Sequence, residues 1–152
     1  MNSRFGKLAT SALLAVLCSN GVFADQPGRH PGYLHALSDL RAARGFVEHK
    51  TGDAYVNEKE HAAFVEIERA IGEIKQASYD DGKNLNDHPP VDAALDRPGR
   101  LQKALEALRQ SRDDLQHEED DPAARGLRAR ALQIIDGAIG DLKEAVAEIH
   151  SR

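Results

Sequence analysis

Residues 33–78 and 101–146 are one segment written twice, 68 positions apart and without a gap. The first half of the match holds Ala36/Ala104, Leu37/Leu105, Leu40/Leu108, Arg41/Arg109, Arg44/Arg112, His49/His117 and Asp53/Asp121. It resumes with Ala63/Ala131, Ile67/Ile135, Ala70/Ala138, Ile71/Ile139, Gly72/Gly140, Lys75/Lys143 and Ala77/Ala145, giving 14 identities over 46 positions. Unrelated helical segments share scattered alanines and leucines, but not both halves in one register. A chain built this way is constrained to fold as two copies of one unit.

The unit is a helical hairpin. Tyr33, Leu37, Leu40 and Val47, with Arg44 in the gap, follow a 4-3-4-3 spacing that makes a narrow apolar seam on one helix face. Lys50-Thr51-Gly52-Asp53 breaks the pattern, and Phe64, Ile67, Ile71 and Ile74, flanked by Ala63, Ala70 and Ala77, restore it over about 56–79. The second copy runs Leu101, Leu105, Leu108, Leu115, breaks at 118–122, and returns from Leu127 to Ile149. Pro122 suits a first helical turn, with Asp121 as its cap. Folding about Gly52 sets Leu40 near Phe64, Leu37 near Ile67 and Tyr33 near Ile71; a shift of 68 gives the corresponding pairs in the second unit. A lone hairpin leaves its seam in water. The expected fold is therefore all-α: a four-helix bundle of two repeated antiparallel hairpins. A dozen buried Leu and Ile side chains at roughly 1.5–3 kcal/mol each can offset the ordering entropy. Gly72 and Gly140 fall mid-helix, where glycine costs about 1 kcal/mol relative to alanine; close helix approach and drift without consequence both explain them.

The ends are of another character. Arg4 and Lys7 precede a short apolar run from Leu8 to Cys18, and Val22-Phe23-Ala24 ends on a small residue, the pattern of a cleavable signal peptide over 1–24. The run is shorter than the roughly 20 residues that span a bilayer. Leu17 stands before Cys18 where a lipobox needs a small residue, which argues against lipidation. Cleavage after Ala24 takes Met1 and Cys18 with it, leaving no thiol chemistry, thiolate zinc site or c-type haem attachment. It also takes Arg4 and Lys7, so the net charge moves from −5 to −7, with 18 basic against 25 acidic residues. Such an acidic surface disfavours nucleic acid and anionic membranes. The expectation is a periplasmic or secreted protein: a flexible Pro/Gly lead-in over 25–32, then one domain over 33–152. That domain divides into a hairpin over 33–79, a linker over 80–98 and a hairpin over 99–150.

Candidate sites are few. Arg44 and Arg112 hold matched positions on the seams, where a guanidinium needs a carboxylate or an exit to water. The hairpin register sets Arg44 against Glu60, a structural ion pair, whereas Arg128 faces Arg112, leaving Asp113, Glu118 or Glu119 to serve there. The functional alternative is an anion pocket formed by both arginines. His49 and His117 sit in the last turns of helices one and three, where the helix dipole favours a cation, and His35 points to solvent. Glu58-Lys59-Glu60-His61 has the Glu-x-x-His spacing of di-iron bundles, but Gly126 and Ala129 occupy the equivalent positions, so the second motif is missing. Metal ligation is best placed in the linker, on Asp80, Asp81, Asp87, His88 and Asp92; its Gly82 does not fit an EF-hand, since Ala77 and Tyr79 stand where ligands belong. No cofactor motif, nucleophile triad context, nucleotide loop or HExxH occurs, which makes an enzyme a poor reading.

The stretch from His30 through Pro31-Gly32-Tyr33-Leu34-His35 to Arg44, with the stretch from Asp80 through Asn84-Leu85-Asn86-Asp87-His88 to Ala93, resembles uncharacterised small secreted bacterial proteins with two tandem helical hairpins. The resemblance covers nearly the whole chain past residue 24 and implies the same fold; it brings no activity and no catalytic residue. The LTxxQ-type signature of helical periplasmic stress chaperones is missing. The functional expectation is a non-enzymatic envelope or secreted bundle that binds or scaffolds a protein, through the linker and the faces bearing His35 and Phe46. The alternative is a metal- or small-ligand-binding module using the acidic, His88-containing linker.

Overall fold

The structure is a computed structural model that describes residues 31–48, 58–78, 94–118 and 126–151. Those residues form α1 (Pro31–Val47), α2 (Glu58–Ser78), α3 (Arg97–His117) and α4 (Leu127–His150), with no strand among them. The helices start for local reasons. Asp96 caps α3, its Oδ1 accepting from the Gly99 N–H at 2.9 Å, and Pro98 sits in the first turn, where its missing N–H costs nothing. Gly126 opens α4 at φ +82°, a left-handed conformation that favours glycine, and the helix begins at Leu127. That start lies beyond Pro122, where the sequence placed it; Asp121 and Pro122 themselves fall outside the described residues. Pro31 and Gly32, expected in the lead-in, instead form the first turn of α1. Arg97 and Pro98, expected in the linker, likewise already belong to α3.

Burial of the apolar seams follows the repeat. Tyr33, Ala36, Leu37, Leu40, Ala43 and Val47 of α1 are buried, and so are the residues 68 further on: Leu101, Ala104, Leu105, Leu108, Ser111 and Leu115. The same holds for Ala63, Ile67, Ala70, Ile71 and Ile74 against Ala131, Ile135, Ala138, Ile139 and Leu142. The two halves thus have like shapes and pack their seams together in one core.

The main packing contacts are those of α1 with α2 and α3, and of α4 with α2 and α3. The order around the bundle is α1, α2, α4, α3. Gly32 N–H at the start of α1 donates to a Glu118 carboxylate oxygen at the end of α3 (2.7 Å), so these helices are antiparallel. Lys59 at the start of α2 reaches Asp141 near the end of α4, and Glu73 near the end of α2 meets Arg130 near the start of α4, so that pair is antiparallel too. The resulting order is up-down-down-up. Ser78 and Ala94 therefore lie at opposite ends of the bundle, which decides for a crossover over the up-down-up-down alternative.

The contacts between hairpins, α1 with α3 and α2 with α4, are much more extensive than those within each hairpin. The cause is a row of small residues at sevenfold spacing. Ala36 and Ala43 face Ala104 and Ser111, while Ala63 and Ala70 face Ala131, Ala138 and Ala145, all fully buried. Heptad spacing keeps one stripe toward an antiparallel neighbour, and a methyl group or hydroxymethyl there lets the backbones approach. Ser111 spends its hydroxyl on the Ala36 carbonyl across the seam, at 3.2 Å. The register centres on Leu40 against Leu108 and Ile67 against Ile135, the same residue from each copy, so a pseudo-twofold axis passes between the hairpins.

Gly72 and Gly140 have no part in this approach. A Cβ built on either finds no atom within 4 Å beyond its own helix surroundings. Drift is the better account of both.

Candidate functional site

The arginines that repeat, Arg44 and Arg112, form equivalent ion pairs. Arg44 Nε contacts Glu68 Oε1, and Arg112 Nε donates to Asp136 Oδ1 at 2.7 Å; Glu68 and Asp136 are themselves repeat mates. This corrects the expected Arg44–Glu60 pairing, and it corrects the expectation that no such pairing repeats. The arginines are not seam residues: Arg44 is exposed and the pairs lie on the outer surface, two turns further along α2 than the loop-based register placed them. Arg44 is near the end of α1 and Arg112 near the end of the antiparallel α3, so they stand toward opposite ends of the bundle. A shared anion pocket does not form.

Glu60 has a different role. It is 8% exposed and accepts from Arg97 Nε at 2.7 Å, tying the start of α3 to the start of α2 across the bundle end. Arg128, its repeat mate, donates instead to the Glu118 carbonyl.

His35 is exposed, as its helical angle requires. Phe46, expected on an outward contact face, is half-buried and packed on the core. Glu58 and His61 both point to solvent. His117 Nδ1–H donates to the Asp113 carbonyl and His150 Nδ1–H to the Val146 carbonyl, each at 2.7 Å, occupying the last acceptors of α3 and α4. His49, Glu119 and the linker candidates Asp80, Asp81, Asp87, His88 and Asp92 lie outside the described residues. Among the described residues no group of three His, Cys, Asp or Glu side chains is placed to hold a metal, and no helix is long and apolar enough to cross a membrane.

The polar groups with a physical anomaly lie on the seams between hairpins. On the α2–α4 side, a pocket of about 240 Å³ is lined by Glu66, Arg69, Glu73, Arg130, Gln133 and Ile134. Arg130 and Glu73 are paired across it at 3.0 Å. Glu66 lies over Gly137 of α4, both carboxylate oxygens 2.7 Å from where a Cβ would stand, and its buried Oε2 has no hydrogen-bond partner. Burial, then the Asp141 charge, push the Glu66 carboxyl above its ordinary range, against a smaller opposite effect from Arg69. At the far end of this seam Lys59 bridges Glu144 (2.8 Å) and Asp141 (3.1 Å), bonds that raise its ammonium's affinity for the proton.

On the α1–α3 side, half-buried Asp39 is pushed up to about 6 by burial and by Asp114 across the seam, with His35 pulling the other way. Neither Asp39 nor Glu66 stood out in the sequence on its own. The signal that finds them is the mismatch between copies: the mates of Asp39, Asp114 and Glu66 are Ala107, Phe46 and Ile134, all packed against the core.

Compared with family models, with curated proteins and with solved structures, the chain matches none.

Proposed function

We propose that this chain is a non-enzymatic, exported helical-bundle protein that works by binding or scaffolding another protein. The observation that carries the reading is a filled interior. From Tyr33 to Val146 the core is a continuous cluster of apolar side chains, with Glu60 and Arg100 the charged residues buried at its margin, and Arg44, Arg112 and Arg130 are paired with acids on its outer faces. Among the described residues the core between the helices is filled by side chains. The pocket on the α2–α4 face, at about 240 Å³, is smaller than the ~300–1,000 Å³ of ordinary ligand sites, and charged side chains make up most of the residues around it. Another molecule is then met on the helix surfaces or on the segment joining the hairpins. Export is supported by Arg4, Lys7 and the apolar run that follows. The acidic balance points to partners that are neutral or basic proteins rather than nucleic acids.

The test is affinity capture from native envelope extract with the chain from Asp25 onward, beside a variant lacking residues 82–95. A partner retained by the first and lost by the second, with helicity equal by circular dichroism, supports recognition through the connecting segment. Equal capture moves recognition to the helix surfaces. No partner, together with heat on titration of zinc, copper, nickel or calcium, replaces this reading with metal binding by Asp80, Asp81, Asp87, His88 and Asp92.

A further inference from the structure

The bundle is nearly symmetric in its core and asymmetric along its seams. At three seam positions one copy has an apolar residue packed on the core and the other has an acid: Ala107 against Asp39, Phe46 against Asp114, and Ile134 against Glu66. All three acids lie where one hairpin meets the other, Asp39 and Asp114 on the α1–α3 seam and Glu66 on the α2–α4 seam. The geometry opposes charge at these sites. Asp39 is half-buried with Asp114 as its neighbour across the seam, and Glu66 has an oxygen sealed from water without a donor, pressed over Gly137.

We propose that the grip between the two hairpins is proton-regulated: neutral Asp39 and Glu66 let both seams close as their apolar mates do, and charged Asp39 and Glu66 loosen them. Mild acid tightens the bundle and neutral pH relaxes it. The surrounding charges fit this assignment. Asp39 meets Asp114 from α3 and His35 from its own helix. Glu66 meets Asp141 from α4 and Arg69 from its own helix, while Arg130 is taken by Glu73, and Lys59 by Glu144 and Asp141. Among the described residues neither carboxylate is held charged by an ion pair. The direction follows from linkage. A carboxyl that binds its proton more tightly when folded adds stability below its unfolded value and loses it as the pH climbs past the folded one. For Asp39 the loss runs from near 4 to about 6.

The experiment is thermal unfolding of the full chain from pH 5 to 7.5. The wild type should melt several degrees higher at pH 5. The variants decide whether Asp39 and Glu66 are responsible. Asp39→Asn with Glu66→Gln should raise the pH 7.5 midpoint toward the acid value and remove most of the pH dependence. Asp39→Ala with Glu66→Ile, which installs the mates from the other copy, should do the same without relying on amide hydrogen bonds. Asp113→Asn, an exposed acid on α3, should leave the slope intact. Retention of the full wild-type slope in both double variants, or a lower midpoint for both at pH 7.5, overturns the proposal.

Discussion

Glycines matched between two copies invite a packing explanation, and Gly72 and Gly140 test whether the seams are where the structure puts them. Replacing both with alanine adds a methyl group to open space, since beyond its own helix surroundings no atom lies within 4 Å of either new Cβ. The packing contribution is then close to zero and the backbone term remains. Alanine is favoured over glycine in a helix interior by about 0.8–1.0 kcal/mol, largely because the unfolded chain has fewer conformations to lose. Gly72 lies toward the Arg130 end of the α2–α4 contact and Gly140 toward the Lys59 end, so the two effects should add to about 2 kcal/mol. For a domain of this size that is a rise of roughly 6–10 °C in the melting midpoint.

The assay is thermal and urea unfolding followed by circular dichroism, on the two single variants and the double. An unchanged denaturant slope would show that only stability has moved. The refuting result is a drop in midpoint for either single variant. It would mean that a neighbouring helix comes closer to that glycine than the structure shows, and that the close-approach stripe passes through the glycines rather than through Ala63, Ala70, Ala131 and Ala138.

The alanine stripe makes the opposite prediction. Ala70→Leu or Ala138→Leu, each at a fully buried seam position, should cost about 1–3 kcal/mol by forcing α2 and α4 apart, read as a lower urea midpoint. Ile67→Ala and Ile135→Ala, at the pseudo-twofold axis, should each cost about 2–5 kcal/mol and agree with each other to within about 1 kcal/mol; a large inequality would show that the copies do not share one environment. Arg97→Ala should cost about 1.5–3 kcal/mol by leaving the buried Glu60 carboxylate without this partner. A double-mutant cycle on the exposed Arg44 and Glu68 should return under about 1 kcal/mol, so Arg97 losing less than the Arg44–Glu68 coupling would reverse the assigned roles.

The helices and their grouping into hairpins were legible because burial acts on periodicity, and the period here is written twice. What the sequence reading missed was the relation between hairpins. Large residues such as Leu37, Leu40, Ile67 and Ile71 mark the hairpin seams, whereas the heptad-spaced Ala63 and Ala70 fix which helices come closest. Arg44 was misplaced for a related reason. With the register counted from the loop at Gly52, its partner came out as Glu60, whereas the partner that recurs in both copies is the mated pair Glu68 and Asp136. A test for recurrence among the acids would have found it. The linker acids remain a reading of composition, since Asp80, Asp81, Asp87, His88 and Asp92 fall outside the described residues.

A duplicated fold separates two kinds of information. Positions where the copies agree, such as Leu40 and Leu108 or Ile67 and Ile135, are those that either half needs in order to pack against its twin. Positions where they differ are released from that demand. Three of these differences place an acid on a seam where the other copy has an apolar residue, and an acid at a half-buried site weakens packing at neutral pH. A chain under pressure for stability alone has the remedy at hand in its own other copy, because Ala107 and Ile134 show that apolar side chains fit these places. Retaining Asp39 and Glu66 therefore gives up stability at neutral pH, and the property gained in exchange is sensitivity of the hairpin contact to protons. That trade ties the proposed regulation to the same seams that build the fold.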